Sequence, residues 1–155
     1  MNRKYNLEQF QDLPITLEEA WAFFSNPKNL ARITPPSLGF VITSQPPEDI
    51  IDGLTITYTV KPLLGIPMKW VSLISDVQKP DQFVDQQITG PYAYWHHLHR
   101  FTKILGGVRA EDVVTYSLPM GLLGELVHPL LVAPRLKAIF DFRRTVLINH
   151  FGEIE

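Results

Sequence analysis

The chain has 155 residues, a length that fits one domain. Lys and Arg number 14 and Asp and Glu number 16, a balance that argues against a nucleic-acid-binding surface and against a highly charged disordered chain. The absence of cysteine excludes a disulfide framework, a thiol nucleophile and a cysteine-bound zinc. The 13 prolines exceed the usual share of about 5%, and they are spread along the chain as breaks between elements.

The N-terminal segment is charged and carries no apolar stretch, so it does not resemble a secretory signal. No run of about 18 uncharged apolar residues is present. The longest apolar stretch, 118–134, is interrupted by Glu125, His128 and three prolines. We therefore expect a single domain over 1–155, a cytoplasmic location and no stable insertion into a membrane.

The first third of the chain predicts one strand and two short helices. Residues 4–13 alternate loosely, as a strand does. Thr16 and Glu19 have the spacing of a capping box, which opens a short helix. Asn26 and Pro27 are typical of a helix start, and the prolines that follow Thr34 end this second helix, predicted over 28–33.

Strand-like segments fill the middle of the chain, each bounded by turn residues. They are 39–44, 54–61, 69–77, 82–89, 94–105 and 108–118. From Pro134 the apolar period changes to three and four residues, which predicts a long amphipathic helix. We predict an α+β protein in which a curved antiparallel sheet of about seven strands wraps around the C-terminal helix, with two short helices between strands 1 and 2.

Several parts of the chain resemble the START/polyketide-cyclase superfamily (SRPBCC), and within it a bacterial ligand-binding or cyclase-like subfamily. They are 21–30, 33–36, 90–92, 95–97 with His99 and Phe101, 112–116, 118–124 and 139–143. The resemblance covers nearly the whole chain and implies the helix-grip fold. It also implies a deep apolar cavity between the sheet and the terminal helix, which holds lipids, sterols, polyketides or other hydrophobic molecules. It implies no universal catalytic residue.

Apolar connections gather at one end of the predicted sheet, because successive connections in an antiparallel meander alternate between its ends. Segments 62–68, 90–94 and 119–124 are apolar and rich in Pro and Gly, whereas the connections at the other end are mostly polar. We predict a cavity mouth, or a patch that contacts a membrane or a partner; plain packing of the loops is the alternative. The mouth residues are Leu63, Leu64, Ile66, Met68, Tyr92, Met120, Leu122 and Leu123.

A second feature is the alternating pattern of Trp95, His97, His99 and Phe101, which share one face of a strand. A two-residue turn at Gly106 and Gly107 would place Phe101 opposite Asp112 and His97 opposite Tyr116 on the next strand, with Asp112 diagonal to His99. The candidate catalytic residues are His97, His99, Tyr116 and Asp112. Arg143 is expected to pair with Asp112 or Glu111. The predicted cavity lining is Trp70, Trp95, His97, His99, Phe101, Tyr116, Ile139, Phe140 and Arg143.

His-x-His on a strand also occurs in metal sites, but a third ligand would have to come from His128 or Asp112. We therefore predict no metal and no cofactor.

The leading hypothesis is the binding or carriage of a hydrophobic small molecule that is lipid-, isoprenoid-, sterol- or polyketide-like. One alternative is a polyketide cyclase or dehydratase-like enzyme that uses the cavity histidines with Tyr116. Another is an interaction module that uses the apolar loops. The predicted partner is a hydrophobic small molecule, with no nucleic acid and at most a transient membrane contact. The ligand's identity and the oligomeric state stay open.

Overall fold

The computed structural model describes residues 2–154, and Met1 and Glu155, the ends of the predicted domain, lie outside the described residues. One seven-stranded sheet runs in the order β1-β7-β6-β5-β4-β3-β2, with antiparallel neighbours throughout. The chain therefore forms a meander from β2 to β7, and β1 joins its far edge. The strands are β1 (Lys4–Leu13), β2 (Val41–Ile42), β3 (Thr55–Leu63), β4 (Ile66–Gln78), β5 (Gln82–Thr89), β6 (Tyr94–Ile104) and β7 (Gly107–Ser117).

Helices precede and follow the meander. They are α1 (Leu17–Phe24), α2 (Pro27–Arg32), α3 (Leu122–Val127) and α4 (Ala133–Phe151), with a π-helical turn at His128–Val132 between the last two. This arrangement confirms the predicted α+β fold, including the two short helices after the first strand and the long terminal helix. In the described part of the chain, no helix combines the length and the apolar run that crossing a bilayer requires.

The starts of the two short helices follow the predicted capping chemistry. The backbone N–H of Glu19 donates to Thr16 Oγ1 at 3.1 Å, and the N–H of Thr16 donates to Glu19 Oε2 at 2.7 Å. The N–H of Lys28 donates to Asn26 Oδ1 at 3.1 Å, which caps α2. Each cap satisfies backbone donors that the first helical turn leaves without a partner.

The strand predicted over 39–44 is shorter in the structure, where only Val41–Ile42 joins the sheet. After it, the backbone N–H groups of Thr43 and Ser44 both donate to the carbonyl of Thr57, at 2.9 and 3.2 Å, and the side chain of Ser44 accepts from the N–H of Thr57 at 3.0 Å, so regular pairing ends there. The connection predicted over 62–68 is mostly strand. Leu64 and Gly65 have φ values of 54° and 67°, which suit a tight hairpin turn, so β4 begins at Ile66.

Helix α4 and helix α1 both cover the inner face of the sheet. The buried residues of α4 are Leu136, Phe140, Arg143 and Leu147. The side chains of Gln9 and Gln11 on β1 donate to backbone carbonyls of α4 at 3.2 and 3.1 Å, which fixes the helix along that edge. From α1, the buried Trp21 packs edge-on against aromatic rings of β5 and β6. The buried charged residues of the protein include Asp112 on β7 and Arg143 on α4.

Candidate functional site

Strands β6 and β7 bring the predicted histidines and Asp112 together, in a register two residues from the predicted one. The turn lies at residues 105–106, so that Ile104 pairs with Gly107 and His99 pairs directly with Asp112. The predicted pairing of His97 with Tyr116 and of Phe101 with Asp112 is therefore wrong. Because side chains alternate across a strand, a shift of two residues keeps each of them on its predicted face.

Five side chains converge on the inner face of the sheet and form the polar cluster: Asp85 from β5, His97 and His99 from β6, Asp112 from β7 and Arg143 from α4. Asp112 joins most of them. Its Oδ1 lies 2.8 Å from Nε2 of His97, 3.3 Å from Nη2 of Arg143 and 3.7 Å from Nδ1 of His99. The expected pairing of Arg143 with Asp112 is confirmed, and it ties the terminal helix to the sheet through buried charges.

Opposing influences act on the Asp112 carboxyl. Burial on its own raises the pKa, but the guanidinium of Arg143, the hydrogen bond with His97 and the proximity of both imidazoles outweigh it. The pKa of Asp112 is therefore held well below its usual range, and the group is ionised at neutral pH. A buried carboxylate of this kind persists only because cationic and polar partners surround it.

His99 and Asp85 lack such compensation. Burial lowers the pKa of His99 well below its usual value, and His97 adds to the effect, so this imidazole is neutral at pH 7. Burial raises the pKa of Asp85, against smaller effects of His97, Ser72 and Arg143. Within residues 2–154, Asp85 Oδ1 and both ring nitrogens of His99 are buried without a hydrogen-bond partner. These atoms are the ones that a ligand could engage.

A cavity of about 50 Å³ lies beside the polar cluster, between the sheet and the segment that carries α1 and α2. Asp85, His99 and Arg143 reach its wall, next to the hydroxyls of Tyr58 and Ser72. Its remaining walls are largely apolar and include Leu30, Ile33, Phe40, Ile42, Ile50, Ile56, Ile74 and Phe83. The space suits a few water molecules or one small polar group.

Of the predicted cavity residues, His99 and Arg143 line this cavity, and the others pack elsewhere in the interior. The rings of Trp70 and Trp95 meet edge-on with centroids 5.4 Å apart, and they form an aromatic cluster with Tyr92 and Tyr116. These aromatic side chains pack on one another and do not line the described cavity. The residues that do not reach the cavity are Trp70, Trp95, His97, Phe101, Tyr116, Ile139 and Phe140.

The predicted mouth residues also lie away from this cavity. Tyr92 packs into the aromatic cluster, with its ring 4.8 Å from that of Trp95. The other seven are exposed on the surface: Leu63, Leu64, Ile66, Met68, Met120, Leu122 and Leu123. Arg135 donates to the carbonyl of Pro62 at 2.6 Å, which joins the β3–β4 hairpin to the start of α4. The seven exposed residues do not line the described cavity.

Tyr116, a candidate catalytic residue, does not join the two histidines of β6. Its hydroxyl lies 2.6 Å from Nε2 of His128, and the ring of His128 stacks on Tyr5 at a centroid distance of 3.5 Å. Burial raises the pKa of Tyr116, and Tyr5 adds to the effect. This contact holds the π-helical turn against the sheet, and it separates Tyr116 from the acid–base pair that the sequence suggested.

Asp85 is the member of the cluster that the sequence interpretation missed. It pairs directly with His97 across β5 and β6, and Phe83 pairs with His99 in the same register. The sequence feature that indicates it is the position of Asp85 two residues after Phe83 on the same strand, because an ionisable side chain then shares a face with a buried aromatic one.

Neither a protein-family model nor a curated protein matches this chain. Solved structures do match over nearly its full length. Protein Ms6760 from Mycobacterium smegmatis is 18% identical, with 94% of this chain and 92% of that chain covered and a TM-score of 0.66. Norcoclaurine synthase from Thalictrum flavum, in complex with dopamine and hydroxybenzaldehyde, is 15% identical, with 96% and 89% covered and a TM-score of 0.64.

A third structure is longer than this chain. The nucleoside-diphosphate sugar epimerase from Corynebacterium glutamicum is 25% identical with a TM-score of 0.66, and the match covers 92% of this chain but 28% of the epimerase. These likenesses show the fold: the chain has a helix-grip architecture, as the sequence resemblance implied.

Proposed function

We propose that this protein binds a small, mostly apolar molecule through a polar group that faces Asp85, His99 and Arg143. The observation that carries the proposal is the cavity whose apolar walls end on buried polar atoms without partners. Ligand sites commonly have this composition, in which apolar walls supply affinity and a few polar groups set the orientation. The complex of norcoclaurine synthase with dopamine and hydroxybenzaldehyde, on the same fold, supports a small aromatic guest.

The size of the cavity sets a condition on binding. About 50 Å³ holds a polar head but not an aromatic ring with its substituents, so the guest has to displace part of the cover. The cover consists of α2 and the segment around β2, which contribute Leu30, Phe40 and Ile42 to the wall. Since α2 has six residues and β2 has two, these elements are the ones that can move at the lowest cost.

Fluorescence titration with N-phenyl-1-naphthylamine, a neutral apolar probe, tests the proposal. We expect saturable binding, and we expect Ile42→Phe to weaken it about tenfold by filling the cavity wall, which corresponds to about 1.4 kcal/mol. Val41→Phe is the matched control, because Val41 precedes Ile42 on the same strand and is 58% exposed. Unsaturable uptake, or equal loss in both variants, would contradict the proposal.

A second candidate function, transient contact with an anionic membrane surface, is favoured by the exposed apolar end of the molecule. We define the apolar end as the tip of the β3–β4 hairpin together with α3 and the π-helical turn after it. Leu64 is 81% exposed and Leu122 is 79% exposed, and further large apolar side chains are exposed beside them, which is unusual for a monomer surface: Ile66, Met120, Leu123, Leu126 and Leu130.

The charges around the apolar end select an anionic lipid surface over a neutral one. Lys61 and Lys69 flank the hairpin tip and Arg135 stands at the start of α4, whereas Glu125 is the acidic residue within the helical part. Each Lys or Arg near an anionic bilayer contributes about 1 kcal/mol to attraction, while the apolar side chains enter the interface.

Co-sedimentation with vesicles of phosphatidylglycerol and phosphatidylcholine measures this contact. We expect the double variant Leu64→Ser, Leu122→Ser to lose most vesicle binding at low salt. Leu105→Ser is the control, because Leu105 is 98% exposed in the β6–β7 turn, away from the apolar end. Unchanged sedimentation of the double variant would refute the membrane assignment. Occupation of this surface by a second copy of the chain or by a protein partner, and not by lipid, would refute it as well.

A further inference from the structure

Three side chains of the polar cluster present metal-ligand atoms toward a common point. One carboxylate oxygen of Asp85 and one ring nitrogen each of His97 and His99 lie within 4.8 Å of one another. Ligands of a tetrahedral zinc ion lie roughly 3.4 Å apart, given metal–ligand distances of about 2.0–2.1 Å. Small side-chain rotations therefore suffice to bring the three ligand atoms to these separations. From this juxtaposition we infer that Asp85, His97 and His99 bind a divalent transition metal ion of the zinc class.

The unpaired buried atoms of the cluster support a missing ligand at this point. Oδ1 of Asp85 and both ring nitrogens of His99 have no hydrogen-bond partner in the described chain, although His99 is only 6% exposed. Buried polar atoms without partners are rare in folded proteins, and each calls for an explanation. A metal ion would engage Asp85 and one nitrogen of His99 at the same time.

His97 has the supporting contact that metal-bound histidines usually show. Its Nε2 lies 2.8 Å from Asp112 Oδ1, so Nδ1 is the nitrogen we expect to bind the metal. A carboxylate on the opposite nitrogen fixes the orientation of the ring and raises its basicity as a ligand. Arg143, at 3.3 Å from the same oxygen, in turn holds Asp112 in place.

The available space and the donor atoms agree with a divalent ion. The cavity of about 50 Å³ that Asp85 and His99 line leaves room for water as a further ligand. Two nitrogens, one oxygen and open positions suit Zn²⁺ or another late first-row ion.

Cobalt binding to the untagged, chelator-treated chain tests the site without any organic ligand, so its outcome is independent of the proposed small-molecule binding. We expect one Co²⁺ per chain with visible d–d absorption, displaced by Zn²⁺. Asp85→Asn should weaken binding at least tenfold by removing the anionic ligand, and Asp112→Asn should weaken it by about 10- to 100-fold, as loss of such a supporting contact does.

His96→Gln is the matched control, because His96 lies between the two proposed ligands on β6 and points to the other face of the sheet. It should bind Co²⁺ like the unmodified chain. Circular dichroism in the metal-free state checks that Asp85→Asn is folded, so that a loss of binding reports on the ligand. Absence of a stoichiometric Co²⁺ spectrum in the folded wild-type chain, or equal affinity of wild type and Asp85→Asn, overturns the assignment.

Discussion

Replacing Arg143 by Met is the sharpest test of the buried charges that connect α4 to the sheet. Arg143 is 6% exposed, and its Nη2 lies 3.3 Å from Asp112 Oδ1. Its guanidinium also lies 5.4 Å from the ring centroid of Phe24 and 5.9 Å from that of Phe140. Met fills similar volume without charge, so the substitution removes the ion pair and both ring contacts while keeping most of the packing.

The expected loss of stability follows from these distances. A pair of unit charges 3.3 Å apart gains roughly 5 kcal/mol at an effective dielectric constant of 20, and removal of one buried partner usually costs about 3–5 kcal/mol. The hydrogen bond from His97 stays and compensates part of the charge on Asp112. We therefore expect the free energy of unfolding to fall by about 3 kcal/mol at pH 7, a large fraction of the usual total.

Urea unfolding followed by circular dichroism and tryptophan fluorescence measures this change at 25 °C. Arg144→Met is the matched control, because Arg144 is the next residue on α4 and its side chain is 43% exposed. It donates to the carbonyl of Phe10 at 3.0 Å and lies 3.8 Å from Glu153, and since both contacts are exposed we expect a loss of at most about 1 kcal/mol. The double variant with Asp112→Asn should lose less than the sum of the single variants. A loss below 1 kcal/mol for Arg143→Met, or strict additivity, would refute the reasoning.

Two further predictions concern pH and packing. The pKa of His99 in the folded chain lies well below its value near 6.5 in the unfolded chain, so the unfolded chain binds a proton first as the pH falls. In the presence of a chelator, the free energy of unfolding should therefore fall by up to about 1.4 kcal/mol per pH unit below pH 6.5. His99→Phe should remove this pH dependence of the free energy of unfolding. If the variant shows the same pH dependence as wild type between pH 7.5 and 5, the prediction is wrong. Gly107→Ala should cost about 1–3 kcal/mol in urea unfolding, since its Cβ would meet Leu13 O at 2.0 Å. Gly65→Ala, with open space but φ of 67°, should cost about 1 kcal/mol, and equal losses would argue against the clash.

The fold was predictable because its signals are local. The capping box at Thr16, the Asn26-Pro27 helix start and the change of apolar period near Pro134 each act within a few residues, and the structure confirms all of them. The errors lie where tertiary pairing decides. The edge strand after Gly39 is short because Thr43 and Ser44 both donate to the carbonyl of Thr57, which ends the regular pairing. The positive φ of Leu64 and Gly65 allows a tight hairpin where the sequence predicted a loop.

The candidate site was predictable only where local sequence patterns determine it. Alternation on β6 correctly placed His97 and His99 on one face of the strand, and the structure shows that this face is buried. Their partners depend on register and on turn position, so the predicted opposition of Asp112 to Phe101 was two residues off. Asp85 required the pairing of β5 with β6 across the loop at 90–93, a non-local contact that periodicity along one strand does not report.

The polar cluster costs stability in a way that argues for a role beyond folding. Asp112 is compensated by Arg143 and His97, so it fits a structural ion pair. Asp85 and His99 are not compensated, and each buried atom without a partner costs roughly 1–3 kcal/mol. An apolar ring in place of His99 would stack on Phe83, whose centroid is 4.3 Å away, without that cost. A purely structural core would therefore favour the apolar ring, so the imidazole beside a carboxyl and a cavity supports the proposed binding site.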